Sequence, residues 1–333
     1  MKNALSIFRF LLEAEKRGER TALVTLTDVT GGSSRSPGAH IAVSETGQFV
    51  GSFSGGCIEA AVVGEARRVI ESGTAELIRF GAGSQFIDIR LPCGGGVDLL
   101  FTPCMSAEAI RQAYRSLVGR SPVSVLLGRD GTIAVSRGAE RLTRWAEDIF
   151  VARHEPDLRI LIAGHGAEVP ALAMLSSAYG AEVIALSPDH AIVEALTASG
   201  LQATALKTPD HIETLLTDAF TAVILLFHDH DWEPVLLEQA LRSAAFFVGA
   251  MGSRGTHRER IAMLRRRGLA EEEIARLTGP IGLIPASRDP DTLALSVLSQ
   301  VVARHHQAGD QRRLPVETLE SEAADTKPPK RLP

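Results

Sequence analysis

The stretch from Arg159 to Leu186 constrains this chain more than any other. An apolar strand over residues 159–163 runs into Gly164-His165-Gly166, then a helical pattern over 169–179 and a second strand over 182–186. Strand, glycine turn, helix and strand in sequence make a βαβ unit, which opens a parallel sheet with helices on its faces. The alternation continues, with strands at 222–227 and 246–249 and helices at 234–244 and 256–267. A long helix from about 291 to 305 lines up Leu293, Val297, Leu298 and Val301 on one face. Residues 158–308 are therefore expected to form a Rossmann-like domain.

The texture before residue 138 differs. A helix over 4–17 ends at Gly18, a Val- and Thr-rich strand follows over 21–29, and 39–44 and 48–53 form a hairpin across Glu45-Thr46-Gly47. A helix over 58–72 stops at Gly73, and a strand over 97–101, a helix over 106–118 and strands near 122–127 and 131–136 complete the unit. Residues 1–137 thus read as an α+β domain, in a chain whose 333 residues already favour two domains. The polar segment 138–157, ending His154-Glu155-Pro156-Asp157, is expected to be a linker, and the charged, proline-bearing segment 309–333 a disordered tail.

Composition removes several function classes. A net charge of -5 gives no basic field for nucleic acid, and 5% aromatic residues leave few stacking platforms for bases. No apolar run is long enough to span a bilayer, and Met1-Lys2-Asn3 opens an amphipathic pattern rather than a signal peptide, so neither membrane nor export is expected. The three cysteines are odd in number and make no disulfide framework. A cytoplasmic protein with reduced thiols is the expectation.

Five constellations carry candidate chemistry. Cys57, in Ser54-Gly55-Gly56-Cys57-Ile58-Glu59, and Cys93, in Cys93-Gly94-Gly95-Gly96, sit beside glycines that expose the backbone. Cys57 also precedes a helix, whose dipole favours the thiolate, and soft sulfur suits a soft metal centre. Most free cysteines are simply buried, and Cys104, after Pro103, is read that way. The hydroxyls, amides and Arg35 of residues 31–38 would cradle an anion or merely connect a hairpin. Gly164-His165-Gly166 would let a phosphate approach a helix N-terminus, yet Val169 replaces the third glycine of a dinucleotide fingerprint. Ser187 stands where that fingerprint has a ribose-binding carboxylate. His228-Asp229-His230-Asp231 lies just past a strand end, where ligands gather or loops are plainly polar. Gly249-Ala250-Met251-Gly252-Ser253-Arg254 would hold a phosphate or form a tight turn. Arg265-Arg266-Arg267 is read as a solvated helix end.

Taken together these segments resemble the XdhC/CoxI family, accessory proteins of xanthine dehydrogenase and related molybdenum hydroxylases. The similarity runs through Ser33–Gly38, Gly51–Glu59, Cys93–Gly96, Gly164-His165-Gly166, His228–Asp231, Gly249–Arg254, Pro280-Ile281-Gly282-Leu283 and the segment 293–298, covering most of residues 1–305. What it implies is a non-enzymatic or weakly enzymatic chaperone role, binding the molybdenum-molybdopterin cofactor as cargo, protecting its sulfurated form and inserting it into a xanthine dehydrogenase-type molybdoenzyme. A cysteine desulfurase and a second copy of the chain are the implied partners. The implied cofactor-binding set is Ser54, Gly55, Gly56, Cys57, Glu59, Cys93, Gly94, Gly95, Gly164, Gly166, His228, Gly252, Ser253 and Arg254. In that set Cys57 and Cys93 lie nearest the molybdenum, and Arg254 and the glycine turns hold the pterin phosphate or an attached nucleotide. Two departures from the family pattern are Ser187 and Pro170, the latter tolerable only if the helix starts near Val169. The alternatives are an NAD(P)-dependent oxidoreductase, with His228 or His230 as proton donor, and a module tethering the desulfurase to the hydroxylase.

Overall fold

In a computed structural model of the protein, the residues described are 4–53, 56, 58–84, 94–136, 142–210, 212–228 and 231–313. The chain divides at Pro156/Asp157 into two units, the second spanning Asp157–Leu314. The first contains α1 (Ala4–Lys16), β1 (Thr21–Thr30), β2 (His40–Ser44), β3 (Phe49–Val50), α2 (Glu59–Ser72), β4 (Glu76–Gly81), β5 (Gly96–Pro103), α3 (Glu108–Val118), β6 (Val123–Gly128), β7 (Ile133–Ser136), β8 (Arg144–Ala146) and β9 (Ile149–His154).

Its main sheet has the order β3-β2-β1-β5-β4, with every pairing antiparallel. Side chains alternate across a strand, so β1 sends Ala22, Val24 and Leu26 to the cluster under α2 and Leu23 to the opposite cluster under α1 and α3. Both faces are covered, which is why β1 is buried without interruption from Thr21 to Thr27. Helix α1 meets the sheet through Ala4, Ile7, Phe8, Leu11 and Ala14, an i, i+3, i+4 stripe. A second antiparallel sheet, β7-β6-β9-β8, joins the same cluster through Val123, Val125, Leu127, Phe150 and Ala152.

This second sheet corrects one expectation. Residues 144–146 and 149–154 are strands β8 and β9 rather than linker, and β9 pairs with β6 from Val123↔His154 to Gly128↔Ile149. Arg144 and Arg153 dilute the pattern, while Phe150, Ala152 and His154 alternate along the other face of β9 and are buried.

Packed between α1 and the strands is a buried histidine pair. His40 Nδ1 lies 2.8 Å from Thr25 Oγ1, and His40 Nε2 lies 3.0 Å from His154 Nε2. The edge of the His154 ring meets Phe8 at 5.4 Å. Burial pushes His40 from its usual 6.5 to about 3, and burial together with the neighbouring His40 drives His154 well below its ordinary value. Both rings are therefore neutral in the fold, whereas the unfolded chain protonates them near the ordinary value. The sign follows: their contribution is complete above about pH 6.5 and is lost as pH falls from there towards about 3. Each ring costs up to roughly 1.4 kcal/mol per pH unit in that window. Urea unfolding should accordingly show unit 1 about 2–4 kcal/mol less stable at pH 5 than at pH 7. A Trp232→Phe variant leaves Trp145 to report on this unit alone, and His154→Leu should flatten the dependence by roughly half. Equal stability at both pH values would contradict it.

The second unit contains β10 (Arg159–Gly164), α4 (Glu168–Tyr179), β11 (Glu182–Ser187), α5 (His190–Ala198), β12 (Gln202–Ala205), β13 (Thr221–Leu226), α6 (Glu233–Arg242), β14 (Phe247–Ala250), α7 (Arg254–Arg266), α8 (Glu271–Ile274), β15 (Leu277–Thr278) and α9 (Pro290–Arg313). All of its strands are parallel, in the order β12-β11-β10-β13-β14-β15. One face of the sheet packs on α6, α7 and α8 and the other on α4 and α9. Pro170 falls in the first turn of α4, where its missing N–H is harmless. The fold class is thus α/β, an α+β unit followed by a Rossmann-like parallel sheet.

Helix α9 also corrects the expected start of the tail, because it continues through residues 309–313. Arg312 supplies a reason: its guanidinium stacks 4.6 Å from the Phe220 ring and donates to the Ala219 carbonyl at 3.2 Å. No helix among the described residues is long and apolar enough to cross a membrane.

Candidate functional site

In unit 1 three glycine-rich segments meet at one end of the main sheet. The pairing of β1 with β5 sets Thr30 opposite Gly96. Gly31, at φ +81°, lies so close to the second turn that a Cβ would sit 3.2 Å from Gly95 Cα. From the same loop, Ser34 Oγ donates to Phe53 O at 2.7 Å and Arg35 Nε donates to Ser52 O at 3.1 Å. Residues 31–38 therefore bridge the approach to Cys57 on one side and the exit from Cys93 on the other. Ser54, Gly55, Cys57 and Cys93 themselves lie outside the described residues. Gly56 and Gly94 are exposed, both have positive φ, and a Cβ on either would meet nothing within 4 Å.

Two charged side chains hold this arrangement. Glu59 opens α2 and is 6% exposed. Its Oε1 accepts from Ser52 Oγ at 2.8 Å and Phe53 N at 3.0 Å, and its Oε2 from Gly56 N at 2.8 Å and Ile58 N at 3.2 Å. A buried carboxylate ringed by neutral donors is also favoured by the helix dipole. Glu59, a member of the expected cofactor-binding set, accepts these hydrogen bonds from residues 52, 53, 56 and 58. Arg79 does similar work below the other turn. Its Nη1 donates to both Asp98 oxygens at 3.0 and 3.1 Å, its Nε to Ala82 O at 2.7 Å and its Nη2 to Thr30 Oγ1 at 2.9 Å. Because Arg79 fills that space, a Cβ at Gly96 would come within 2.7 Å of its Nη2. The importance of Arg79 was not legible in the sequence, since no motif surrounds it.

In unit 2 the connections reverse direction between β10 and β13, the place where an open parallel sheet leaves a crevice beyond its strand ends. Gly164 must be glycine there, because a Cβ would lie 2.5 Å from Leu226 O on the neighbouring strand. Gly166 has φ +85°, and the space above it is taken by Glu168, whose Oε2 would lie 2.8 Å from a Cβ. Glu168 Oε1 is also 3.5 Å from His228 Nε2. The His165 ring contacts His228 at 5.6 Å and Phe227 at 5.5 Å. Asp229 and His230 lie outside the described residues. Sequence reasoning brought Gly164, Gly166 and His228 to this crevice but passed over Glu168, an ordinary first-turn acid by pattern.

The neighbouring strand end carries the other turn. Gly252 has φ +143°, and Ser253 caps α7 by accepting from Thr256 N at 3.0 Å. Arg254 opens the helix and is exposed. Beneath the turn Arg260 and Glu233 form a buried pair at 2.9 and 2.6 Å, and Arg260 Nη2 also holds the Met251 carbonyl at 3.0 Å. At the end of β11, Ser187 is fully buried and accepts from Asp189 N at 3.2 Å, while Asp189 caps α5 through Ala191 N at 2.9 Å. Both residues serve local structure here. Cys104 follows the end of β5 opposite to Gly96, half-buried, with burial raising its thiol to about 11, which fits a structural residue.

Comparison with known proteins agrees with this division. Residues 160–301 match the family model of the XdhC Rossmann domain, and residues 14–81 match that of the XdhC and CoxI family. The chain is 35% identical over 306 residues to the molybdenum cofactor insertion chaperone PaoD of Escherichia coli, covering 92% of this chain and 90% of that protein. It is 23% identical over 301 residues to the uncharacterized protein YqeB of the same organism, spanning 46% of that longer protein. A crystal structure from Bacillus halodurans, described as a xanthine dehydrogenase, superposes with a TM-score of 0.72 over 96% of this chain and 98% of that one, at 19% identity. That likeness speaks for the fold. With both units matched and a well-covered relative above 30% identity, the chain belongs to the XdhC and CoxI family.

Proposed function

We propose that this protein binds the molybdenum cofactor and inserts it into a molybdenum hydroxylase of the xanthine dehydrogenase type. The observation that carries the reading is the meeting of the three unit 1 glycine segments, with Glu59 and Arg79 building a loop end on either side of residues 31–38. The likeness to PaoD supplies the class of cargo. On this reading Cys57 and Cys93 stand nearest the molybdenum and shield its sulfido ligand, since thiolates suit a soft centre. Ser54, Gly55, Gly94 and Gly95 supply backbone amides around it, while Gly56, whose own amide is held by Glu59, shapes the loop. In unit 2, Gly252, Ser253 and Arg254 form a capped helix N-terminus suited to a phosphate, that of a pterin or of a nucleotide. A cysteine desulfurase provides the sulfur, and the protein works in the cytoplasm as a homodimer.

The test is to purify the protein from cells that make the cofactor and to measure bound molybdenum and pterin, alongside Cys57→Ala and Cys93→Ala. The wild type should carry molybdopterin, and either variant should retain at least about tenfold less. A wild type that neither co-purifies with pterin nor takes it up in vitro would overturn the reading.

A further inference from the structure

A dinucleotide-binding turn leaves the N-terminus of its helix open, so that backbone amides face a pyrophosphate. Here that position is filled from within. Glu168, the first residue of α4, carries its carboxylate over Gly166, with Oε2 2.8 Å from where a Cβ would be. A second anion brought to this helix N-terminus would meet this charge, so the turn disfavours a phosphate. What it offers is a pair of acceptor oxygens, 18% exposed, beside His228 Nε2 at 3.5 Å. A chain of flat rings continues from His228. His165 lies against His228 and Phe227, and Phe227 stacks nearly parallel to Trp232, at 9° between planes.

A carboxylate pairs best with two parallel N–H donors on one planar group, as it does with a guanidinium. The 2-amino and N3–H groups of a pterin present that guanidine-like edge. We propose that Glu168 reads the pyrimidinone edge of the pterin, with the imidazoles of His165 and His228 against the ring. The assignment rests on the molybdenum cofactor being the cargo and goes beyond it by orienting the pterin. The ring edge is read at the β10–α4 turn, and the phosphate is left to the β14–α7 turn, whose helix N-terminus bears hydroxyls and Arg254 instead of a carboxylate. Glu168 is thus a specificity-determining residue that also disfavours a dinucleotide. Guanine shares the same donor edge, so the source must be distinguished by experiment.

The test uses the purified full-length protein and follows quenching of pterin fluorescence, with lumazine as the matched ring that carries a 2-oxo group in place of the amine. Guanosine serves as competitor. Wild type is expected to bind pterin at least about tenfold more tightly than lumazine, because the 2-oxo group sets an acceptor against the carboxylate. Glu168→Gln, which puts a donor on that edge, should remove the preference, and Glu168→Asp should keep it in weakened form. Melting temperatures show that the variants are folded. Equal affinity for pterin and lumazine, absence of pterin binding, or an unchanged preference in folded Glu168→Gln would overturn the assignment. So would guanosine displacing pterin at lower concentration than pterin itself binds, which would mark a guanine nucleotide as the ligand. Retention of molybdopterin on purification separates the two readings: wild type loaded with cofactor but without ring preference rejects only the role of Glu168, whereas wild type without cofactor rejects the carrier function.

Discussion

Glu59→Gln should cost unit 1 about 3 kcal/mol and strip the protein of most of its bound cofactor. The amide can satisfy one side of the loop with its remaining oxygen, for example Ser52 Oγ and Phe53 N. Its NH2 group then faces Gly56 N–H and Ile58 N–H, donor against donor, and two backbone amides lose the acceptor they have in the native loop. Leaving each such group unpaired costs about 1–3 kcal/mol. For a unit of this size that is a fall in melting temperature of roughly 10 °C. Glu59→Asp keeps the charge but is one methylene short, and should recover part of both losses. The two readouts need not move together. A variant that melts lower but still holds wild-type amounts of molybdopterin would show that the loop around residue 57 is not part of the cofactor site.

The second large effect is expected at the buried pair beneath the α7 turn. Arg260 and Glu233 are 0% and 1% exposed at the side chain, so removing either leaves an uncompensated charge in the core. Arg260→Leu or Glu233→Leu alone should destabilise unit 2 by about 3–5 kcal/mol, whereas the double variant, which removes both charges together, should recover much of that loss. Arg260→Leu carries a further consequence, because Arg260 Nη2 holds the Met251 carbonyl and with it the turn that presents Ser253 and Arg254. In the double variant, restored stability with persistently weak phosphate binding would separate the two roles. Thermal melts and isothermal titration with inorganic phosphate read them independently, and additive losses in the double variant would contradict the pairing.

Much of the architecture is legible in the sequence because it is local. The βαβ pattern follows from the apolar run at 159–163, the Gly-x-Gly turn and the helical spacing after it, and the structure reproduces each within a few residues. The hairpin at residues 40–50 follows in the same way from alternation around Gly47. Strands β8 and β9 escape because Arg144, Glu147, Asp148 and Arg153 dilute an alternation whose buried half, Phe150 and Ala152, is short. Strands β4 and β15 are short or edge elements whose partners are distant in the chain, so pairing rather than propensity makes them.

The site divides along the same line. Glycine turns announce themselves, since positive φ and close backbone approach demand glycine, as at Gly31, Gly164 and Gly252. The groups that set those turns do not. Arg79 reaches from β4 to Thr30, and Arg260 reaches a glutamate 27 residues away, contacts that exist only once the sheets have formed. Glu59 and Glu168 are each a first-turn acid in sequence, a common helix feature. Only the fold shows that one is buried as the anchor of a loop while the other stands in a crevice.

The central claim is insertion, and transfer tests it most directly. Protein purified with its molybdopterin would be mixed with the cofactor-free form of a xanthine dehydrogenase-type hydroxylase, and pterin would be followed in both after separation. The expected result is loss of pterin from this protein matched by its appearance in the hydroxylase, with activity gained in proportion and faster than with the same amount of free cofactor. Pterin that stays where it was, or a hydroxylase that activates equally well without this protein, would contradict the account.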